Sequence, residues 1–350
     1  MKGVVFAAGY GRRLHPLTTT RPKHLLPLAS KPLLLRVVEA LRSVGVGEIG
    51  VTVAYMADRV GAVLTGEGVT IIQQQQVLGT GQALKECRPF LDGEDSFFVV
   101  YGDVTATAER LSRLHEFFQG GRFDGAMLAV TGRGPGSYGT VSIENSQLVS
   151  VAEKSGEVGL VNAGIYILPS EILDVVEDLP LSPRGEYELT DALNILVGRG
   201  RRLGVLVDEG DWWFDVGRPL DYLNANLYYT KAELEEAVVL GRGVVLGDGV
   251  RFHGPVLLGD YARVGSDTEL VGPVVIGEGC EIAPHSSIAK SVLMENVRIL
   301  DRCRLSYSIL SEETVIKKTV EVEKEVMPSL VTAPKTRLSR PLIVAETLVI

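Results

Sequence analysis

From Leu240 onward, apolar residues recur at every sixth position: Leu240, Leu246, Phe252, Leu258, Val264, Leu270, Ile276, Ile282 and Ile288. Four positions after each comes a small or β-branched residue, from Val244 and Val250 through Ala262, Thr268 and Cys280 to Ser286 and Val292. A helix repeats at 3.6 and a strand at 2, so neither accounts for this spacing. A period of six belongs to a parallel β-helix, in which each hexad gives one short strand and a turn. The register slips by one near Met294, continues at Leu293, Ile299 and Leu305, and fades after Ser311. With three hexads to a coil, this predicts a solenoid of about four coils. The apolar tail PLIVAETLVI is then expected to cap the open end or to pair with another subunit. Stacked coils offer flat apolar faces, so a homo-oligomer joined through them is expected.

The preceding two-thirds of the chain has a different rhythm. Strand-like runs at Val4–Ala8, Ile49–Ala54, Val69–Gln73 and Ser96–Tyr101 alternate with helical spacing over Pro32–Val44, Thr80–Phe90 and Thr107–Phe118. Such alternation predicts a mostly parallel sheet with helices on both faces. From Gly125 to Leu168 the pattern turns strand-rich, which predicts an antiparallel addition to the sheet. Helices are expected again at Glu171–Leu179, Glu188–Val197 and Pro219–Glu236, with a strand at Leu203–Val207. The expected boundary between an α/β domain and the solenoid lies between residues 235 and 236.

Net charge is −9 over 350 residues, which gives no support to a nucleic-acid partner. An anionic ligand must therefore be met by local cations. Cys87, Cys280 and Cys303 lack metal spacing and are too few for a disulfide framework, so buried free thiols in a reducing cytoplasm are expected. The N-terminal apolar run ends at glycine after six residues, and no later run reaches membrane length.

Local cations are concentrated near the start. A buried-strand signal over Gly3–Ala8 breaks at Gly9-Tyr10-Gly11 and is followed by Arg12, Arg13 and Lys23. Glycines let backbone N–H groups approach phosphate oxygens, and fixed cations offset the charge. The run lacks the Gly-Lys-Ser/Thr of a Walker loop and the third glycine of a dinucleotide fingerprint. By itself it also fits an ordinary strand–helix turn with solvated arginines. Further clusters follow. Gln74 precedes a Leu78-Gly79-Thr80-Gly81 turn, and its amide offers a donor and an acceptor that suit the O4/N3–H edge of uracil or thymine; the run of glutamines also fits a plain surface turn. Asp103 follows Gly102 at the carboxyl end of an apolar strand, where open α/β sheets bind ligands and where aspartate suits Mg²⁺ or else a helix cap or Asx turn. Asp215, within Trp213-Phe214-Asp215-Val216-Gly217, is a candidate second metal ligand or a helix cap. Gly139, Glu153, Lys154, Asn162 and Glu186 scatter hydrogen-bonding groups suited to sugar hydroxyls and a phosphate, or to turns and surface pairs.

Taken together these clusters resemble the sugar-1-phosphate nucleotidylyltransferases, whose signature runs G-x-G-T-R-L-x-P-L-T and then P-K-x-L-L-P. This chain has Gly9-Tyr10-Gly11-Arg12-Arg13-Leu14-His15-Pro16-Leu17-Thr18 and then Pro22-Lys23-His24-Leu25-Leu26-Pro27, departing at Arg12. The motifs Q-x-x-x-L-G-T, G-D, E-K, N-x-G and F-D-V-G-x-P follow in family order, and the resemblance covers residues 1–230. It implies a Rossmann-like mixed sheet followed by a left-handed parallel β-helix, and a reaction of nucleoside triphosphate with sugar 1-phosphate to give nucleotide-sugar and pyrophosphate. It implies catalytic roles for Arg13 and Lys23, and nucleotide binding by Ala8, Gly9, Gly11, Arg12, Gln74, Gly79, Thr80 and Gly102. Gly139, Glu153, Lys154, Asn162 and Glu186 would hold the sugar phosphate, and Asp103 and Asp215 would hold Mg²⁺. The turn after Lys154 lacks the proline that many relatives carry, so the local turn is expected to differ.

Guanylyltransferase relatives tend to carry glutamate at the Gln74 position, because a carboxylate suits the two N–H donors of guanine. Glutamine therefore favours UTP or dTTP over GTP. ATP-using relatives also carry glutamine, so adenine stays open. Glucose 1-phosphate is the default sugar of this branch. The Leu-Gly-Thr-Gly turn also resembles bifunctional N-acetylglucosamine-1-phosphate uridylyltransferases, whose longer β-helix transfers acetyl groups. His253 and His285 would be the bases for that second reaction. A non-catalytic regulatory subunit typically loses the loop arginine or the metal aspartates, and this chain keeps both.

Overall fold

The computed structural model describes residues 1–131, 138–153, 159–322 and 327–350. Its contacts divide the chain into two units: Met1–Tyr10 with Leu33–Asp215, and Gly11–Pro32 with Val216–Ile350. Among the described residues no helix is long and apolar enough to cross a membrane.

The first unit opens with β1 (Gly3–Phe6), every residue of which is buried. Helix α1 (Leu33–Ser43) buries Leu33, Leu34, Val37, Val38, Ala40 and Leu41, the stripe that its spacing predicts. Strand β4 (Ile49–Val53), helix α2 (Ala57–Leu64) and strand β5 (Thr70–Gln73) follow. Only Val60 and Leu64 are buried in α2, too few for a periodic signal, and the sequence reading missed it. The helix expected over residues 80–90 is two, α3 (Thr80–Glu86) and α4 (Arg88–Leu91), parted at Cys87. Pro89 lacks the N–H that a continuous helix would need there and fits the first turn of α4 instead. Strand β6 (Ser96–Tyr101) leads to α5 (Ala108–Gln119), whose N-cap Thr107 accepts from the Arg110 N–H.

The strand-rich middle gives β7 (Gly125–Val130), β8 (Thr140–Glu144), β9 (Gln147–Ala152) and β10 (Leu160–Pro169). Helices α6 (Ile172–Glu177) and α7 (Leu189–Gly198) and strand β11 (Leu203–Asp208) complete the unit. All nine strands form one sheet in the order β5-β4-β1-β6-β10-β7-β11-β9-β8. Strands β5, β4, β1 and β6 are parallel, β10 runs antiparallel to β6 and β7, and β8 and β9 form an antiparallel pair. The carboxyl ends of β5, β1 and β6 therefore share one edge, and Gln74, Ala8-Gly9 and Gly102-Asp103 emerge there. A core including Val4, Phe6, Leu84, Phe97, Val99, Met127 and Tyr166 packs against one face of the sheet.

The second unit contains the ribbon β2 (Pro27–Leu28) and β3 (Lys31–Pro32), helix α8 (Pro219–Leu234) and a parallel β-helix with sheets of seven, six and six strands. Leu258 stacks on Ile276, Ile276 on Leu293 and Leu293 on Leu310, which makes a continuous interior ladder. The solenoid has about six coils rather than four, as its strand count shows. A coil takes eighteen residues from Val256 to Val274, seventeen from Val275 to Val292 and twenty-two from Ile309 to Val331. These changes break the six-residue phase while preserving strand pairing, which is why the pattern fades beyond Ser311. The tail is itself coil: Leu342–Val344 pairs with Val320–Val322, and Leu348–Val349 with Leu330–Val331. All three cysteines are free and buried. Burial raises the Cys280 thiol to about 12 and the Cys303 thiol to about 11, out of the reactive range.

Candidate active site

In the second unit, Gly11 sits at φ 67° and starts a 3₁₀ turn over Arg12–Leu14. A Cβ at Gly11 would lie 3.1 Å from Lys23 Cβ and 3.2 Å from Thr18 Cγ2, so a side chain would be strained twice over, by conformation and by space. The Gly11 carbonyl accepts from Thr18 Oγ1 at 2.9 Å and from the Leu14 N–H at 3.0 Å. Leu14 and Leu17 are fully buried, which pins the turn and leaves Arg12 and Arg13 exposed on it. A second 3₁₀ turn, Lys23–Leu25, buries His24 and Leu25 and leaves Lys23 half-buried beside Gly11. The fold thus gathers the loop's cations.

Helix α8 fixes the far end of this loop. Tyr222 Oη donates to the Pro27 carbonyl at 2.8 Å, Asn226 Nδ2 donates to the same carbonyl at 3.3 Å, and the Ala29 N–H donates to Asn226 Oδ1 at 2.9 Å. Burial raises the pKa of Asp221 at the start of α8, against the pull of the Arg218 and Arg13 charges. Nearer its centre the loop is held by Arg21. Its guanidinium meets Glu295 through two hydrogen bonds, at 3.2 and 2.8 Å, and lies 3.4 Å from Glu312. Burial alone would lower the Arg21 pKa, but the hydrogen bond and charge of Glu295, with the charge of Glu312, raise it. Sequence reasoning passed over Arg21, Tyr222 and Asn226. The stretch Arg21-Pro22-Lys23 carried a signal, a third loop arginine, but its acidic partners lie more than 270 residues away.

In the first unit, the Gln74 N–H continues β5 by donating to the Val53 carbonyl at 2.8 Å. The residue is 3% exposed, and its side-chain Nε2 makes no hydrogen bond with any described residue. A buried donor left so costs about 1–3 kcal/mol, which an acceptor on a bound ligand would offset. Gly79 takes φ 109°, and a Cβ there would stand 2.5 Å from the Tyr187 carbonyl oxygen. That closeness lets residues 186–189 strap the turn: the Tyr187 N–H donates to Leu78, the Gly81 N–H to Tyr187, and the Leu189 N–H to Thr80 Oγ1 at 2.9 Å. By accepting from Leu189, the Thr80 hydroxyl serves the turn itself.

Gly139, Glu153 and Asn162 come together. The Asn162 N–H donates to the Gly139 carbonyl at 2.9 Å, and a Cβ at Gly139 would lie 3.0 Å from Glu153 Oε2. Asn162 Oδ1 accepts from Tyr166 Oη at 2.8 Å and from the Gly164 N–H at 3.2 Å, which directs the amide NH₂ away as a donor. Arg184 joins Glu153 at 3.5 Å to Glu186 at 3.3 Å and to the buried Glu188 at 2.9 Å. Lys154 lies outside the described residues. Tyr166→Phe is expected to leave Asn162 Oδ1 held by the Gly164 N–H alone and to lower stability by about 1 kcal/mol, as one lost hydrogen bond implies. Denaturant unfolding of the variant beside the parent measures this.

One bridge at the end of β6 brings the two candidate metal ligands into the same neighbourhood. Val104 forms an antiparallel bridge with Asp215. The Thr105 N–H donates to the Phe214 carbonyl at 3.0 Å, the Phe214 N–H to Thr105 Oγ1 at 2.8 Å, and Thr105 Oγ1 to the Trp212 carbonyl at 3.0 Å. Trp213 anchors this segment by donating to the Ala163 carbonyl at 2.9 Å. Asp103, next to Val104, and Asp215 thus leave one locked bridge. Among the described residues no group of three or more His, Cys, Asp or Glu could hold a metal. Two hard carboxylate donors suit Mg²⁺, which rarely takes a full protein cage.

Comparison with known proteins gives two family-model matches: the nucleotidyl transferase model over residues 2–232 and the GMPPB C-terminal domain model over residues 252–350. The chain is 31% identical to a bifunctional sugar-1-phosphate nucleotidylyltransferase/acetyltransferase of Sulfurisphaera tokodaii, over 93% of this chain and 75% of that one. It is also 31% identical to a glucose-1-phosphate thymidylyltransferase of Streptomyces griseus, over 92% of this chain and 95% of that one. The match to the bifunctional protein GlmU of Methanocaldococcus jannaschii spans 61% of that protein's length. A solved Bacillus anthracis structure, described as a glucose-1-phosphate thymidylyltransferase in complex with sucrose, covers 65% of the chain at a TM-score of 0.58 and 29% identity.

Proposed function

The chain belongs to the nucleotidyl transferase family, and on that premise we propose that it joins a pyrimidine nucleoside triphosphate, UTP or dTTP, to glucose 1-phosphate and releases pyrophosphate. The observation that carries this reading is the bridge that brings Asp103 and Asp215, far apart in sequence, to the end of β6. The sugar phosphate attacks in line: its oxygen bonds to the α-phosphorus as the bond to the β-phosphate oxygen breaks. The nucleophile is already anionic, so no general base is required, and the work is positioning and charge neutralisation. Arg13 meets the charge that grows on the departing pyrophosphate, and Lys23 and Arg12 bind the triphosphate. The turn from Ala8 to Gly11 and the Gly102 backbone approach the nucleotide. Gln74 and the turn at Gly79 and Thr80 read the base. Gly139, Glu153, Asn162 and Glu186 hold the sugar, and Lys154 its phosphate. Enzymes of this family generally use a divalent metal. Mg²⁺ held by Asp103 and Asp215 would supply charge neutralisation at the phosphates.

Measuring pyrophosphate with each nucleoside triphosphate against a panel of sugar 1-phosphates tests the substrate assignment. UTP or dTTP with glucose 1-phosphate should lead, and a preference for GTP or mannose 1-phosphate overturns it. Gln74→Glu is expected to shift the ratio of kcat/KM values toward GTP by about tenfold or more, since a carboxylate suits guanine's paired donors. We further propose that copies of the chain assemble through the β-helix, whose first coil exposes Val238, Val239, Leu240, Val245 and Leu246. A second reading adds acetyl transfer on the β-helix. It is favoured by His253 Nε2, 3.1 Å from Glu269 Oε1, a pairing suited to a general base. Release of free CoA from acetyl-CoA with glucosamine 1-phosphate decides it.

A further inference from the structure

The β-helix carries two acids that the reaction above does not use: Glu312, which is buried, and Glu295, whose side chain is 39% exposed. Glu295 and Glu312 occupy the same place on successive coils, as the pairing of Leu293 with Leu310 fixes. Adjacent strands stand about 4.8 Å apart, so two stacked carboxylates repel unless a cation lies between them. Arg21 supplies that cation. Its side chain is 17% exposed, it reaches Glu295 through a two-pronged contact at 3.2 and 2.8 Å, and it lies 3.4 Å from Glu312. Thr20 Oγ1 donates to the other oxygen of Glu312. One coil earlier the matching position holds Glu278, which is exposed and has no such contact with the loop among the described hydrogen bonds and ion pairs.

We propose that Glu295 and Glu312 are positioning residues for the phosphate-binding loop: by clamping Arg21 they hold the turns that carry Arg12, Arg13 and Lys23. The proposal rests on the functional reading above and gives the β-helix a part in catalysis beyond assembly. Arg21 is two residues from Lys23, and Lys23 packs beside Gly11, from which the Arg12–Leu14 turn starts. Tyr222 and Asn226 secure the other end at Pro27 and Ala29. With the clamp gone, one end of the loop stays tied and the catalytic turns gain freedom. Displacements of about 1 Å cost on the order of a hundredfold in a reaction that depends on positioning.

The test uses the full chain with Glu295→Gln and Glu312→Gln combined, which keeps shape and removes charge. The kcat should fall at least about tenfold, with KM for the sugar 1-phosphate changed less than about twofold, a split that misplacement predicts. Trypsin should cleave the native protein after Arg12, Arg13 or Lys23 faster than in the parent, while the melting temperature stays close to the parental value. Arg21→Lys, which keeps the charge and loses the fork, should fall between the two. Glu278→Gln should match the parent. If the double variant folds but keeps both parental kcat and parental resistance to trypsin, the inference is wrong. It is also wrong if kcat falls only in step with the folded fraction. Should the double variant fail to fold, Glu295→Gln alone and Arg21→Lys give the same readings. Two parallel measurements separate the ideas: no nucleotide-sugar from the parent overturns the functional reading itself, whereas loss of activity in Arg13→Ala with an unaffected clamp variant overturns only the inference.

Discussion

Replacing Arg13 with alanine is expected to lower pyrophosphate release on the order of a hundred- to a thousandfold, with KM for the sugar phosphate little changed. A fixed cation facing charge that grows in the transition state contributes there more than in the ground state, and losing one such group costs about that much. The side chain is exposed on a short turn whose buried residues are Leu14 and Leu17, so the substitution removes no core contact. The melting temperature should therefore stay close to the parental value. Arg13→Lys should recover part of the rate, because it restores the charge and not the two-pronged geometry. A continuous pyrophosphate assay at saturating substrates checks the result, and a loss below about threefold would remove Arg13 from the transition state.

Asp103→Ala carries the second large effect. Asp103 and Asp215 are the carboxylates at the β6 bridge, and two ligands are few for a divalent ion, so losing one is expected to abolish binding at this site. Activity should fall on the order of a thousandfold at ordinary Mg²⁺. Paramagnetic resonance with Mn²⁺ and the nucleoside triphosphate gives a readout apart from turnover: the bound-ion signal of the parent should be absent in the variant. Asp103→Asn keeps the shape and should behave similarly, since the amide oxygen lacks the charge. An unchanged bound-ion signal in both variants would move the metal elsewhere.

The alternation of strands and helices was legible because each buried strand reads as an unbroken apolar run and α1 keeps a regular stripe. Helix α2, with two buried residues, left no such trace. The β-helix was legible while each turn kept six residues, and its later coils were not, because a seventeen- and then a twenty-two-residue coil reset the phase. Candidate residues were readable where chemistry is local: glycines at positive φ, cations in a row, an aspartate at a strand end. What could not be read was how they are held. Glu295 and Glu312 are ordinary surface-type residues in the sequence, and only the register of successive coils stacks them at Arg21. The use of Asn162 Oδ1 by Tyr166 likewise depends on two residues spaced along one strand. Arg12, the departure from the family loop, stands exposed on the same turn as Arg13.

The most direct measurement is the stoichiometry of products. With glucose 1-phosphate, UTP or dTTP and Mg²⁺, the full chain should form one nucleotide-sugar for each pyrophosphate, and chelating the metal should stop both. Pyrophosphate without nucleotide-sugar, or neither product with any pairing of nucleoside triphosphate and sugar 1-phosphate, would contradict the account.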